Sequence, residues 1–145
     1  MSDAVVIEPY VFLSYTSGDY VRAFAVADAL EASGVRVWID RQAIAGGTSW
    51  GSEIVEGIRN CTVLAISCSA AALRSRNVRQ EIQLGWRFEK PYLPLLLEPV
   101  EFPQHVLYFL EGWQWVELFG RAETEQLPVV LKALRRFGIE GANAD

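Results

Sequence analysis

The sequence predicts an α/β domain, a doubly wound three-layer sandwich whose mostly parallel sheet has about five strands in the order 2-1-3-4-5. Two observations carry this. Short apolar runs alternate along the chain with stretches of helical periodicity, and three of those runs are apolar at nearly every position, as strands covered on both faces must be. A chain of 145 residues suits one core of that size, and 2-1-3-4-5 is a common order for five doubly wound strands.

The elements follow in order. Tyr10 to Ser14 (YVFLS) reads as the first strand, and Asp19 to Ala32 as a helix with Val21, Phe24, Ala25 and Leu30 at helical spacing, stopped by Ser33-Gly34. Val35 to Ile39 (VRVWI) reads as the second strand, and Ser52 to Asn60 as a short helix with Ile54, Val55 and Ile58 inward. Thr62 to Ser67 (TVLAIS) is the third strand, followed by one helix between Ala70 and Glu89. Tyr92 to Leu97 (YLPLLL) is the fourth strand, with Pro94 suggesting an edge, a bulge or a strand end. Trp113 to Leu118 (WQWVEL) alternates with period two, and a last helix lies between Glu123 and Phe137. The expected domain spans residues 9–138, with an N-terminal tail at 1–8 and a flexible tail, or the start of a linker to a further domain, at 139–145.

Composition narrows the partners. A formal net charge of -5 argues against a nucleic-acid or anionic-membrane surface, which needs clustered Lys and Arg; Arg74, Arg76 and Arg79 read as a solvated helix face. MSDAVVIEP lacks the charged start and apolar middle of a secretory signal, and no run approaches the roughly 20 apolar residues of a membrane span. Cys61 and Cys68 flank one strand, about 20 Å apart, beyond disulfide reach. A cytoplasmic setting is the expectation. With two Cys and a single His, no metal site is expected.

One residue is out of place. Across RSRNVRQEIQLGW (Arg74 to Trp86), taking 100° per residue with Val78 at zero, Arg76, Arg79, Gln80, Gln83 and Arg87 fall between about 100° and 200°. Glu81 falls near 300°, roughly opposite that wet face, beside Gly85, Leu84, Phe88 and Asn77. A carboxylate withdrawn from water must be paired, protonated or turned into a polar cavity. Arg74, on a similar side one to two turns earlier, could pair with it. The helix also borders the switch point between strands 1 and 3, where ligands bind in such sheets, and there a perturbed carboxylate is a candidate site residue. Ser14, Tyr15, Thr16, Ser17 and Gly18 lie across that crevice. The long loop Asp40 to Trp50, with Gly46-Gly47 at its centre, could fold over it.

Other chemistries lack their residues. No GxxxxGK[ST] or GxGxxG is present. His105 has no GxSxG with it and reads as a surface or helix-cap residue. The first and third strands end in Ser rather than in the aspartate of a phospho-acceptor. Trp113 and Trp115 read as core or as an aromatic wall.

FLSYTSGD (Phe12 to Asp19), VRVWID (Val35 to Asp40), IRNCTVLAISCSAAALRS (Ile58 to Ser75) and NVRQEIQLGWRFEKPYLPLLL (Asn77 to Leu97) together resemble a bacterial Toll/interleukin receptor (TIR) domain over about residues 8 to 137. The resemblance implies a flavodoxin-like sheet and one of two roles, a scaffold for signalling complexes or an enzyme that cleaves NAD+ at the nicotinamide-ribose bond. Glu81 matches the essential glutamate of the family's WxxxE pattern, with Asn77 standing where the pattern has tryptophan. By the same resemblance Phe12, Ser14 and Tyr15 line the adenosine or ribose side, Asp40, Gly46 and Gly47 border the nicotinamide end, and Asn77 faces the substrate. NAD+ is then substrate rather than cofactor, consumed by hydrolysis or by cyclisation to a cyclic ADP-ribose. Homotypic assembly with other TIR domains and a fused or associated sensor domain complete the implied picture, an effector of a bacterial immune or cell-death system, the alternative being a non-catalytic interaction module.

Overall fold

The computed structural model describes residues 8–41 and 51–141. Five parallel strands, β1 (Val11–Ser14), β2 (Val37–Trp38), β3 (Val63–Cys68), β4 (Tyr92–Leu96) and β5 (Val116–Glu117), form one sheet in the order β2-β1-β3-β4-β5. The period-two alternation of strand side chains divides the core in two. Val11, Leu13, Val63, Ala65, Leu93 and Leu95 face one side, with Ala27 and Leu30 of α1 (Tyr20–Ala32) and Val130, Ala133 and Leu134 of α6 (Glu123–Arg135). Ile139, beyond the positive-φ Gly138, packs into this layer. Phe12, Leu64, Ile66 and Cys68 face the other side, covered by α2 (Gly51–Asn60), α3 (Ala70–Arg74), α4 (Arg76–Arg87) and α5 (Gln104–Leu110). Both cysteines are buried free thiols. Among the described residues no helix is long and apolar enough to cross a membrane.

Local chemistry sets the ends. The α1 helix closes in a Schellman turn, where Val35 N donates to Leu30 O and Gly34 N to Glu31 O, both at 3.0 Å, with Gly34 at φ 89. The single helix expected between Ala70 and Glu89 is two. Ser75 adopts an extended conformation (φ -71, ψ 129), ends α3, and caps α4 by accepting from Val78 N at 3.3 Å. Ser69 likewise caps α3 and donates to the buried carboxylate of Asp19 at 2.5 Å, tying the β1–α1 loop to the β3–α3 loop. The α5 helix follows the run of Pro91, Pro94, Pro99 and Pro103, where the sequence reading places no element. Its N-cap is Pro103, whose carbonyl accepts from Val106 N and Leu107 N.

Pro94 does not mark an edge. It sits inside β4, opposite Ile66 of β3, while pairing with β5 begins only at Leu95. Because Leu97 N donates to Cys68 O, the odd-numbered β4 residues point their N–H groups at β3; the missing donor of Pro94 therefore falls on the β5 side, below the paired segment.

Three contacts hold α4 to the sheet. Val78 and Ile82 are buried, Tyr92 Oη donates to Ile82 O at 2.5 Å, and Gly85 lets the helix backbone approach the sheet. A Cβ at Gly85 would lie 2.7 Å from Leu64 Cδ2 and 3.0 Å from Tyr92 Cε1. Gly85→Ala is therefore expected to destabilise the fold by about 1–2 kcal/mol, the overpacking outweighing the helix propensity gained. Urea denaturation measures this; an unchanged or raised midpoint would show that Leu64 and Tyr92 yield freely.

Candidate functional site

Register brings the first pieces together. Phe12 pairs with Trp38 across β1 and β2, so both rings leave the sheet on the same face and stack, with centroids 4.5 Å apart and planes 9° from parallel. Gly57 of α2 packs over them; a Cβ there would lie 3.1 Å from both rings. Two residues beyond Phe12, Ser14 takes the same face and is the polar position on an otherwise apolar strand. Its hydroxyl donates to Glu81 Oε1 at 2.6 Å.

Glu81 projects from the middle of α4 toward the end of β1, half-buried. The pairing with Arg74 does not form, and among the described residues no cation pairs with Glu81. Burial pushes its carboxyl up from 4.5 to about 7; the Ser14 hydrogen bond pulls the other way, and the nearby charge of Asp40 adds to the rise. Tyr15 donates its hydroxyl to the carbonyl of Asp40, joining the ends of β1 and β2. Burial first, then the Asp40 carboxylate, raise that phenol to about 12, so it remains a protonated donor.

These groups border a cleft of about 1030 Å³ at the carboxyl ends of β1 and β2, between α2 and α4. Phe12 and Trp38 form its floor, Ile54, Val55 and Leu84 its apolar walls, and Tyr15, Asp40, Asn77 and Glu81 its polar end. Of the residues singled out in the sequence, Phe12, Tyr15, Asp40, Asn77 and Glu81 thus line one cleft, and Ser14 lies buried against Glu81. Gly46 and Gly47 lie outside the described residues. Trp113 and Trp115 do not line the cleft: β5 is shorter than foreseen, Trp113 packs edge-on to Tyr92, and Trp115, 51% exposed, packs edge-on to Phe102. His105 sits in the first turn of α5, its Nε2 3.3 Å from Leu73 O. Among the described residues no cluster of His, Cys, Asp and Glu could hold a metal ion. Sequence reasoning missed Trp38, although its strand position opposite Phe12 was a signal, and Leu84 and Arg87, one and two turns beyond Glu81 on the way round to the wet face.

The family model described as TIR domain matches residues 11–131. The chain belongs to the TIR domain family. The TIR domain of the Toll-related receptor TRR-2 from Hydra magnipapillata superposes with a TM-score of 0.67 at 20% identity, covering 87% of this chain and 94% of that one. A metazoan TIR-STING receptor from C. gigas, in complex with 2',3'-cGAMP, gives 0.63 at 21% identity over 89% of this chain and 42% of its own. The CMP N-glycosidase BcmB of Clostridium botulinum gives 0.55 at 17% identity over 83% and 97%. At these identities the likeness is one of fold. No curated protein matches the chain.

The raised carboxyl ties this TIR domain's stability to pH. The native state keeps the Glu81 proton until about pH 7, whereas the unfolded chain releases it near 4.5, so stability falls as pH rises through that window and the loss is complete above it. Glu81→Gln, which mimics the protonated form, should gain on wild type by up to about 3 kcal/mol between pH 4.5 and 8. Denaturation at both pH values measures the gain; a difference independent of pH would show that burial does not hold this proton.

Proposed function

We propose that this TIR domain is an NAD+ glycohydrolase with Glu81 as its catalytic carboxylate. The observation that carries the proposal is a cleft carboxylate oriented by a hydroxyl, with no cation neutralising it among the described residues. Cleavage of an N-glycosidic bond passes through an oxocarbenium-like transition state, and most glycosidases need a second carboxyl to protonate the departing oxygen. Nicotinamide in NAD+ is already cationic and leaves neutral, so a single carboxylate suffices. NAD+ and water give ADP-ribose, nicotinamide and a proton. Attack by an adenine nitrogen instead of water gives a cyclic ADP-ribose.

In that reaction Ser14 fixes one oxygen of Glu81, and the carboxylate stabilises the positive charge growing on the ribose, with greater effect in a partly dry cleft than in water. The Phe12–Trp38 floor offers flat apolar surface, and Asn77, one turn before Glu81, presents an amide to the nicotinamide carboxamide. The fold is shared with a protein named as an N-glycosidase, so N-glycoside chemistry is compatible with it. Self-association of the domain, a linked sensor domain and a role in bacterial immunity or cell death in the cytoplasm complete the proposal.

Nicotinamide release from NAD+ by concentrated or artificially clustered protein tests it. Glu81→Ala should reduce release by at least about 100-fold. Because the carboxylate is the working form, kcat/KM should rise with pH and level off above an apparent pKa near 7, the reverse of the trend in stability. Release no greater than that of Glu81→Ala under clustering would leave the chain a non-catalytic interaction module.

A further inference from the structure

The cleft lining on α4 continues beyond Glu81. Asn77, Glu81, Leu84 and Arg87 follow one another at spacings of four, three and three residues, the last two steps each turning about 60° toward the wet face, and all four line the cleft. At 1.5 Å and 100° per residue, Arg87 lies about 9 Å along the axis and about 120° around it from Glu81. That distance, extended by a long side chain, is comparable with the span of one ribose and its 5′ phosphoryl group.

Charge is distributed unevenly along this lining. Asp40 and Glu81 make the end near the strand termini acidic, whereas Arg87 is the one cation among the described lining residues. Residues 42–50, QAIAGGTSW, contain no Lys or Arg. Arg22, Arg36, Arg41 and Arg59 are each engaged in an ion pair; among the described residues Arg87 has none. Gln80 and Gln83, also lining the cleft, place side-chain amides on the same exposed edge of α4.

We infer that Arg87 is the phosphate-binding residue of the cleft, meeting the 5′ phosphate or diphosphate of the N-ribosyl substrate. The inference rests on the proposed N-glycoside cleavage and adds its polarity. A cationic base sits at the acidic end beside Asn77 and Asp40, the ribose lies against Glu81, Leu84 spans the apolar middle, and the anionic 5′ group meets the guanidinium. A planar guanidinium binds a phosphoryl group through paired N–H donors, and the bond is strengthened by charge on both partners. The opposite orientation would set phosphate oxygens against two carboxylates.

Two measurements on the full chain test this. In turnover, Arg87→Gln should raise KM for NAD+ by about tenfold or more with kcat little changed, and leave KM for nicotinamide riboside, which has no phosphate, unaltered; Arg87→Lys should recover part of the loss. In calorimetry, which needs no turnover, ADP-ribose should bind wild type and lose about tenfold in affinity on Arg87→Gln. If NAD+ is cleaved but neither its KM nor ADP-ribose affinity responds to Arg87→Gln, the phosphate assignment falls and the hydrolase stands. If NAD+ is not cleaved but ADP-ribose affinity drops with the arginine, the assignment stands and the hydrolase falls. Equal losses for NAD+ and nicotinamide riboside, or no ADP-ribose binding to wild type, overturn it.

Discussion

The seating of α4 on the sheet is the constraint on which the cleft depends. Ile82 and Val78 enter the apolar layer, Gly85 removes the side chain that would hold the helix away from Leu64 and Tyr92, and the Tyr92 hydroxyl pins the helix at the Ile82 carbonyl. Together these fix the rotation of the helix about its axis. With 100° between successive residues, a shift of one position would turn Glu81 into the core or out to solvent. Only the observed seating puts its carboxylate within hydrogen-bonding distance of Ser14.

The partner chosen for that carboxylate decides its chemistry. An arginine at 3 Å would have held Glu81 ionised and cancelled its charge, a satisfied ion pair with little left for a ligand. A serine hydroxyl orients one oxygen without cancelling the charge, so burial dominates and the carboxyl rises to about 7. The same group is thereby a destabilising element of the fold at neutral pH and a source of uncompensated negative charge in a cleft. Local frustration of this kind is stored at sites and sustained by packing elsewhere, here by two fully formed core layers.

Departures from the sequence reading have specific causes. The split between α3 and α4 follows from Ser75, a cap residue lying within an otherwise continuous helical pattern. The α5 helix follows four prolines within thirteen residues, Pro91, Pro94, Pro99 and Pro103, which obscure a helical pattern, although a proline can stand at a helix start. Pro94 suggests an edge, a bulge or a strand end because the rule concerns the missing N–H, and whether that N–H is needed depends on where the neighbouring strand begins. Strands β2 and β5 shrank to two residues each, as exposed sheet edges often do.

By itself the sequence determined the alternation of strands and helices, the two apolar faces and the oddness of Glu81, because these depend on local periodicity, and periodicity is written in residue spacing; the strand order followed from the commonness of that arrangement. The tertiary structure decided what those residues meet. That Glu81 answers to Ser14, 67 positions away, that Trp38 lies flat on Phe12, and that Arg87 shares a cleft with Asp40 follow from strand register and helix seating. Those are set by the packing of the whole core, and no local stretch encodes them.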